Sequence, residues 1–182
     1  LNIPQRERES ITDPLLLLRS FLKFGKDFVK DIYGDFAFAI WNKDKKELFC
    51  ARDQIGVKPL LYYFEDNRLV ISTELKSIVK LDLIKTEINN INIRNDYFDI
   101  EEKIGSTIWK NVFRLPAANH LTASLNNSKL HKYWTLHYQK NNLFKNLDSS
   151  SYALKAAMEK AIEDRMRART KIGVPLSGGL DS

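Results

Sequence analysis

The sequence predicts an α+β fold of antiparallel hairpins covered by helices, followed by the opening of a parallel α/β unit. Three observations carry this expectation. Between Phe36 and Ser72, short apolar runs alternate with polar turns, the pattern of consecutive hairpins. Ahead of them, Leu15, Leu18, Phe21, Leu22 and Phe24 recur at helical spacing, giving an amphipathic helix that can cover a sheet face. After them, a helical stretch over 152–169 leads into an apolar run, 172–176, that stops at two glycines. That is the first α-to-β step of a parallel sheet.

Taken in order, 1–10 is polar and charged and reads as a loop. Thr12 or Asp13 caps the first helix, Pro14 suits its first turn and Gly25 its end. A second short helix, 26–30, has Phe28 and Val29 as its apolar side, and 32–35 is a turn. Phe36, Phe38 and Ile40 alternate with Ala37, Ala39 and Trp41, as in a strand covered on both faces. A polar turn at 42–46 returns the chain as a strand over 47–52. Strands at 60–64 and 68–72 make another hairpin around Glu65, Asp66 and Asn67, and 75–79 is a short helix. The helix 152–169 carries Tyr152, Ala156, Met158, Ile162 and Met166 on one side. A serine among 149–151 caps it, and Arg165, Arg167 and Arg169 complement the dipole at its end.

Composition narrows the class. The 182 residues are 43% hydrophobic and 29% charged, ordinary for one or two globular domains. No apolar run approaches twenty residues, so no membrane helix is expected. A single cysteine, Cys50, excludes an internal disulfide framework and suits a reducing, cytoplasmic setting. The net charge of +6 is scattered among interleaved acids, so a nucleic-acid partner is not expected. The chain opens on Leu1 and stops within a glycine-rich loop, and it reads as a fragment cut at both ends.

That loop, Ser177-Gly178-Gly179-Leu180-Asp181-Ser182, holds the most specific chemistry. Glycines let bare N–H groups approach a ligand, and consecutive inward N–H groups at a helix start form an anion nest. Ser177 and Ser182 add hydroxyl donors, and Asp181 can orient them or meet a metal ion. No lysine lies between Gly173 and Ser182, so this is not a Walker loop. The hexapeptide resembles the pyrophosphate loop of the ATP-pyrophosphatase families, which split ATP between its α and β phosphates.

The passages 34–41, 51–63 and 72–78 together resemble the glutaminase domain of glutamine-hydrolysing asparagine synthetases. Residues 109–122, with Arg114-Leu115-Pro116, are similar to that family's segment leading out of the first domain, and Tyr133-Trp134 to the aromatic pair that closes it. The order is also the family's: glutaminase first, pyrophosphate loop second. The resemblance implies an N-terminal-nucleophile αββα sandwich over 1–136, truncated at its start. It implies the opening of an α/β parallel-sheet ATP-pyrophosphatase domain over 137–182, truncated at its end.

The resemblance also implies the sites. Asp13 matches the acid that holds the α-amino group of glutamine, a charge-assisted contact; its plainer role is a helix N-cap. Pro14 after it departs mildly from the family, which has an acid or threonine there. Leu176 matches the position whose backbone meets the adenosine, and Ser177, Gly178, Gly179, Asp181 and Ser182 match the pyrophosphate loop. Asp181 is also the candidate contact to Mg. The family nucleophile is a cysteine at the mature N terminus, so the 182-residue chain is expected to hold no catalytic nucleophile and to be inactive. Substrates of the complete parent would be glutamine, aspartate and ATP, and a homodimer is left open.

Other residues invite plainer readings. Arg52 and Asp53 are expected to form an ion pair that fixes the Gly56 turn. Glu74 matches a family glutamate without assignable chemistry. Cys50 reads as a small buried hydrophobe. His120, His131 and His137 lack metal-ligand spacing and are expected in loops or at strand edges. Competing functions are a ring-closing amide ligase of the β-lactam or lasso-peptide type, an unrelated pyrophosphate-loop enzyme such as a tRNA-thiolating one, and a non-catalytic basic binding module.

Overall fold

Hairpin by hairpin, the chain builds two antiparallel sheets. The computed structural model describes residues 1, 3–8, 10–65, 67–98, 100, 104–125, 127–137, 146–166 and 170–179. The chain divides into two compact units, Leu1–Leu136 and His137–Ser182.

In the first unit, β1 (Ala37–Asn42) and β2 (Glu47–Arg52) pair in register, Ala37 opposite Arg52 and Asn42 opposite Glu47. β3 (Leu61–Glu65) pairs with β4 (Arg68–Ser72). Three later strands complete both sheets: β5 (Val112–Arg114), β6 (Asn119–Ser124) and β7 (Asn127–Lys132). The resulting orders are β1-β2-β6-β7 and β4-β3-β5. These last strands were not anticipated as strands, although Leu121 and Ala123 alternate with His120, Thr122 and Ser124 in the period-two pattern.

The sheets meet face to face. Cys50, Leu121 and Leu48 of the first sheet pack with Tyr62, Leu69 and Ile71 of the second, around buried Leu60 and Leu115. Helices close the two outer faces. α2 (Asp13–Phe24) and the 3₁₀ segment Gly25–Asp31 lie over Phe36, Phe38 and Phe49. α3 (Leu75–Val79) inserts Ile78 and Leu75 against Leu61, Tyr63 and Val112. The helical cover over β1 and β2 is aromatic. Phe21 stacks on Phe49 at 5.3 Å and meets Phe28 edge-on at 6.1 Å. Burying each such ring is worth about 1.5–3 kcal/mol, and each aromatic pair adds about 0.5–1.5 kcal/mol.

Several expectations are corrected. Residues 1–10 include a one-turn helix, α1 (Gln5–Arg8). α2 packs through Leu17 and Phe21, while Leu15, Leu18 and Leu22 are exposed. Four consecutive leucines leave the buried stripe undetermined by spacing, and the position of Phe49 selects it. α4 (Asn90–Tyr97) was not expected; its sequence has little amphipathic contrast to reveal it. The second face of β1 is covered only at its start, where Ala37 packs into the inter-sheet core, while Ala39 and Trp41 are exposed.

The second unit carries α5 (Leu147–Arg165). Asn146 caps it, in place of a serine: its Oδ1 accepts from the Ser149 N–H at 2.9 Å, and Ser149 reciprocates. This is a capping box with Ser in the third position. The expected strand at 172–176 does not form. Ile172, Val174 and Leu176 are exposed and pair with no strand among the described residues. A parallel strand needs neighbours delivered by crossovers, and α5 is the only regular element described in this unit.

Candidate functional site

The loop after β2 is the most tightly built polar feature of the first unit. Arg52 and Asp53 do not form the expected ion pair. The Arg52 guanidinium donates instead to three carbonyls: Nε to Lys58 at 2.7 Å, Nη1 to Leu115 at 2.7 Å and Nη2 to Gly56 at 2.6 Å. The Asp53 carboxylate accepts from the N–H groups of Val57 at 2.8 Å and Lys58 at 3.0 Å. The side chains act oppositely on one loop because a guanidinium only donates and a carboxylate only accepts.

Asp53 is 1% exposed. Burial pushes its carboxyl pKa up, but the amides of Lys58, Val57, Gly56 and Ile55 outweigh this and hold it below the usual value. Gly56, at φ +74°, lies against the guanidinium, where an added Cβ would come within 3.0 Å of the Arg52 Cζ. The loop is also tied to the end of the sheet. The Asp53 carbonyl accepts from Ala118, and Tyr133 donates through its hydroxyl to the Arg52 carbonyl at 2.6 Å. Tyr133 thus fastens the exit from β7 to the loop leaving β2. Burial, then the charge of Asp53, raise its pKa.

Cys50 is buried between the sheets, and burial alone pushes its thiol up to about 12. It remains a protonated hydrophobe at neutral pH and no nucleophile.

Asp13, the candidate glutamine contact, is the first residue of α2 and is exposed. Thr12 holds the N-cap position with extended backbone and makes no side-chain cap bond, and Pro14 follows Asp13 in the first turn. Asp13 is therefore not the N-cap. A carboxylate there is favoured by the helix dipole, which also suits a site where charge is recognised. Glu74 is the N-cap residue of α3, and its N–H donates to Ser72 Oγ at 3.0 Å.

Of the phosphate-loop candidates, Leu176, Ser177, Gly178 and Gly179 are described, whereas Asp181 and Ser182 lie outside the described residues. Gly178 has φ +83°, the left-handed region that a glycine turn requires. The Gly179 N–H donates to Ser177 Oγ at 3.3 Å, turning the chain sharply. An added Cβ at Gly178 would meet nothing within 4 Å, so backbone conformation rather than space demands glycine there.

His131 lies on the edge strand β7, in keeping with the expectation for histidines, whereas His120 lies on the interior strand β6. They lie in strands, directly opposite one another on β6 and β7, with ring centroids 4.8 Å apart. Their cavity, about 510 Å³, is bordered by Asp27, Glu47, Thr122, Asn127 and Lys129. Burial, followed by the charges of His131 and Lys26, pulls the His120 pKa down to about 4, against an opposing pull from Asp27. Sequence spacing could not reveal this pair, because the intervening β-turn sets their approach.

The glutamine amidotransferase domain family matches residues 2–134, and the asparagine synthase family matches residues 153–182. Among curated relatives, a candidate glutamine-hydrolysing asparagine synthetase 2 of Methanocaldococcus jannaschii is 35% identical, over 97% of this chain and 35% of its own length. The glutamine-hydrolysing asparagine synthetase 3 of Bacillus subtilis is 29% identical, over 98% of this chain and 28% of its own. The amidase chry2 of Gibberella zeae is 27% identical, over 94% and 25%. The chain thus spans about a third or less of the length of these relatives. Among the described residues, no helix is long and apolar enough to cross a membrane. With an amidotransferase match covering most of its length, the chain belongs to the glutamine amidotransferase domain family, and its residues 153–182 match the asparagine synthase family.

Proposed function

We propose that the parent protein makes asparagine from aspartate, using ammonia from glutamine and energy from ATP. The observation that carries this reading is the succession of the two family matches, with the Ser177-Gly178-Gly179 turn inside the second. In this account the first unit, 1–136, belongs to the glutaminase domain. Asp13 holds the α-ammonium of glutamine, and the nucleophile is a terminal cysteine outside this chain. Attack on the amide releases ammonia, and water then releases glutamate.

The second unit, 137–182, opens the ATP-pyrophosphatase domain, whose parallel sheet would begin at 172–176. The aspartate β-carboxylate attacks the α-phosphate of ATP, giving β-aspartyl-AMP and pyrophosphate. Ammonia then attacks the acyl carbon and AMP leaves. Leu176 lies beside the adenosine, and the loop of Ser177, Gly178, Gly179, Asp181 and Ser182 receives the pyrophosphate. Donors fixed in advance at a site of developing charge are worth roughly 2.7–4 kcal/mol each. The residue expected to meet Mg, Asp181, lies outside the described residues, and no step here depends on the ion.

A second reading keeps the adenylation and changes the acceptor. It is favoured by the Gibberella zeae relative, which carries an amidase name rather than a synthetase one. The experiment that separates the two is pyrophosphate release by the longer parent across candidate carboxylates. Release that requires aspartate supports asparagine synthesis. Release with another carboxylate, and none with aspartate, supports the second reading.

A further inference from the structure

We propose that His120 and His131 form a two-imidazole site for a late first-row divalent cation on the outer face of the first sheet. They are direct cross-strand partners, with ring centroids 4.8 Å apart. Imidazole nitrogens bind such ions at about 2.0–2.1 Å, which puts each ring centre about 3.2 Å from the metal; two ligands at roughly tetrahedral or square angles then have centroids about 4.5–5.2 Å apart. The observed spacing falls inside that range, so the register of β6 and β7 already sets the two rings at a distance that one ion could span.

The cavity carries both signs of charge, Lys26 and Lys129 beside Asp27 and Glu47, so the two imidazoles rather than the surrounding field would have to hold the ion. His120 Nδ1 is buried and has no hydrogen-bond partner among the described residues, so an ion in the cavity would have to be met by the other ring nitrogen, Nε2. The rings border an open cavity of about 510 Å³, which leaves room for water or a small ligand on the remaining coordination positions. Asp27 borders the same cavity and carries negative charge, while pairing with Lys30. Glu47 is tied to Lys26 at 2.9 Å. No third histidine, cysteine or acid converges on the pair among the described residues. The donors are therefore two nitrogens, which suits copper, nickel or zinc and disfavours Mg and Ca, which prefer oxygen. Occupation would tie the exposed edge strand β7 to β6. The pair shares no residue with the proposed glutamine and pyrophosphate sites, and it does not depend on the proposed reaction.

The test is titration of the full chain with Cu²⁺ alone, followed by calorimetry and electron paramagnetic resonance. One ion should bind per chain, with nitrogen couplings from two imidazoles. His131→Ala should weaken binding by about tenfold or more, since even losing a group that only supports a ligand costs about 10–100-fold. His131 is exposed, so its removal leaves the core intact, and unchanged far-UV circular dichroism checks this. His120→Asn should act similarly, and His137→Ala should change nothing. Equal affinity in His131→Ala, coupling from a single imidazole, or no saturable binding up to millimolar Cu²⁺ would each overturn the proposal.

Discussion

Arg52 and Asp53, adjacent in sequence, grip the same residue from opposite sides: the guanidinium accepts no bond and donates to the Lys58 carbonyl, while the carboxylate receives the Lys58 N–H. The loop that they hold joins the two stacked sheets, since β2 ends at Arg52 and β3 begins at Leu61. Its rigidity comes from polar groups that water cannot replace. Asp53→Asn should therefore cost about 1–3 kcal/mol at neutral pH, because an amide nitrogen would face backbone donors. Because the folded pKa is lowered from 3.8, the stabilisation is fully present above pH ~4 and drains away as pH falls through the folded value. Urea unfolding at pH 7 and pH 3 should show a gap between wild type and variant that narrows in acid. A variant as stable as wild type at pH 7 would contradict this account.

Arg52→Lys should destabilise similarly, by about 2–4 kcal/mol, because an ammonium cannot span three carbonyls in a plane. A loss below about 0.5 kcal/mol, the scale of an ordinary surface change, would count against the clamp.

Gly105 gives a sharper steric test. It sits at φ +85°, and an added Cβ would lie 2.5 Å from the Arg114 carbonyl oxygen, with backbone on both sides of the clash. The Arg114 N–H also donates to the Gly105 carbonyl at 2.6 Å, so retreat breaks a bond that anchors β5. Gly105→Ala should lower stability by about 2–4 kcal/mol, measured by chemical unfolding. Gly178→Ala, with open space around it, should leave the unfolding of the first unit unchanged.

Much of this architecture was legible in the sequence. The hairpins and helices rest on strong periodicity: Phe36, Phe38 and Ile40 on one face, Phe28 and Val29 as a buried pair, Gly25 as a helix stop. Other features depended on partners distant in the chain. Leu17 rather than Leu15 faces the core, on the side of the helix where Phe21 stacks on Phe49. β6 was overlooked because its alternation, with His and Thr outward, is weak until β2 and β7 flank it. The Arg52–Asp53 clamp was misread as an ion pair because sequence cannot show that Leu115 and Lys58 carbonyls compete for the guanidinium. In the candidate site, the Ser177-Gly178 turn was legible from glycine alone, whereas the strand before it requires neighbours that the described residues do not provide.

Cys50 should resist modification. Its thiol is buried and pushed up to about 12, so thiolate is scarce at pH 8. Ellman's reagent should react with it only on the timescale of unfolding, and promptly in urea. Prompt reaction in the native state would mean that the inter-sheet core opens.

In the longer parent, the two candidate sites should separate by mutation. Asp13→Ala should raise KM for glutamine at least tenfold and leave ammonia-dependent synthesis intact, since a lost charge-assisted contact costs about 1.5–3 kcal/mol. Asp181→Ala should abolish pyrophosphate release and spare glutamine hydrolysis. Loss of both activities in either variant, with the fold intact, would show that the sites are not independent.

The most direct test of the central claim is the fate of ATP in that parent, followed by phosphorus NMR in the presence of glutamine and aspartate. The account predicts AMP and pyrophosphate in equal amounts, each matched by one asparagine. Formation of ADP and inorganic phosphate would contradict it, because a loop that receives pyrophosphate has no part in cleavage of the terminal phosphate.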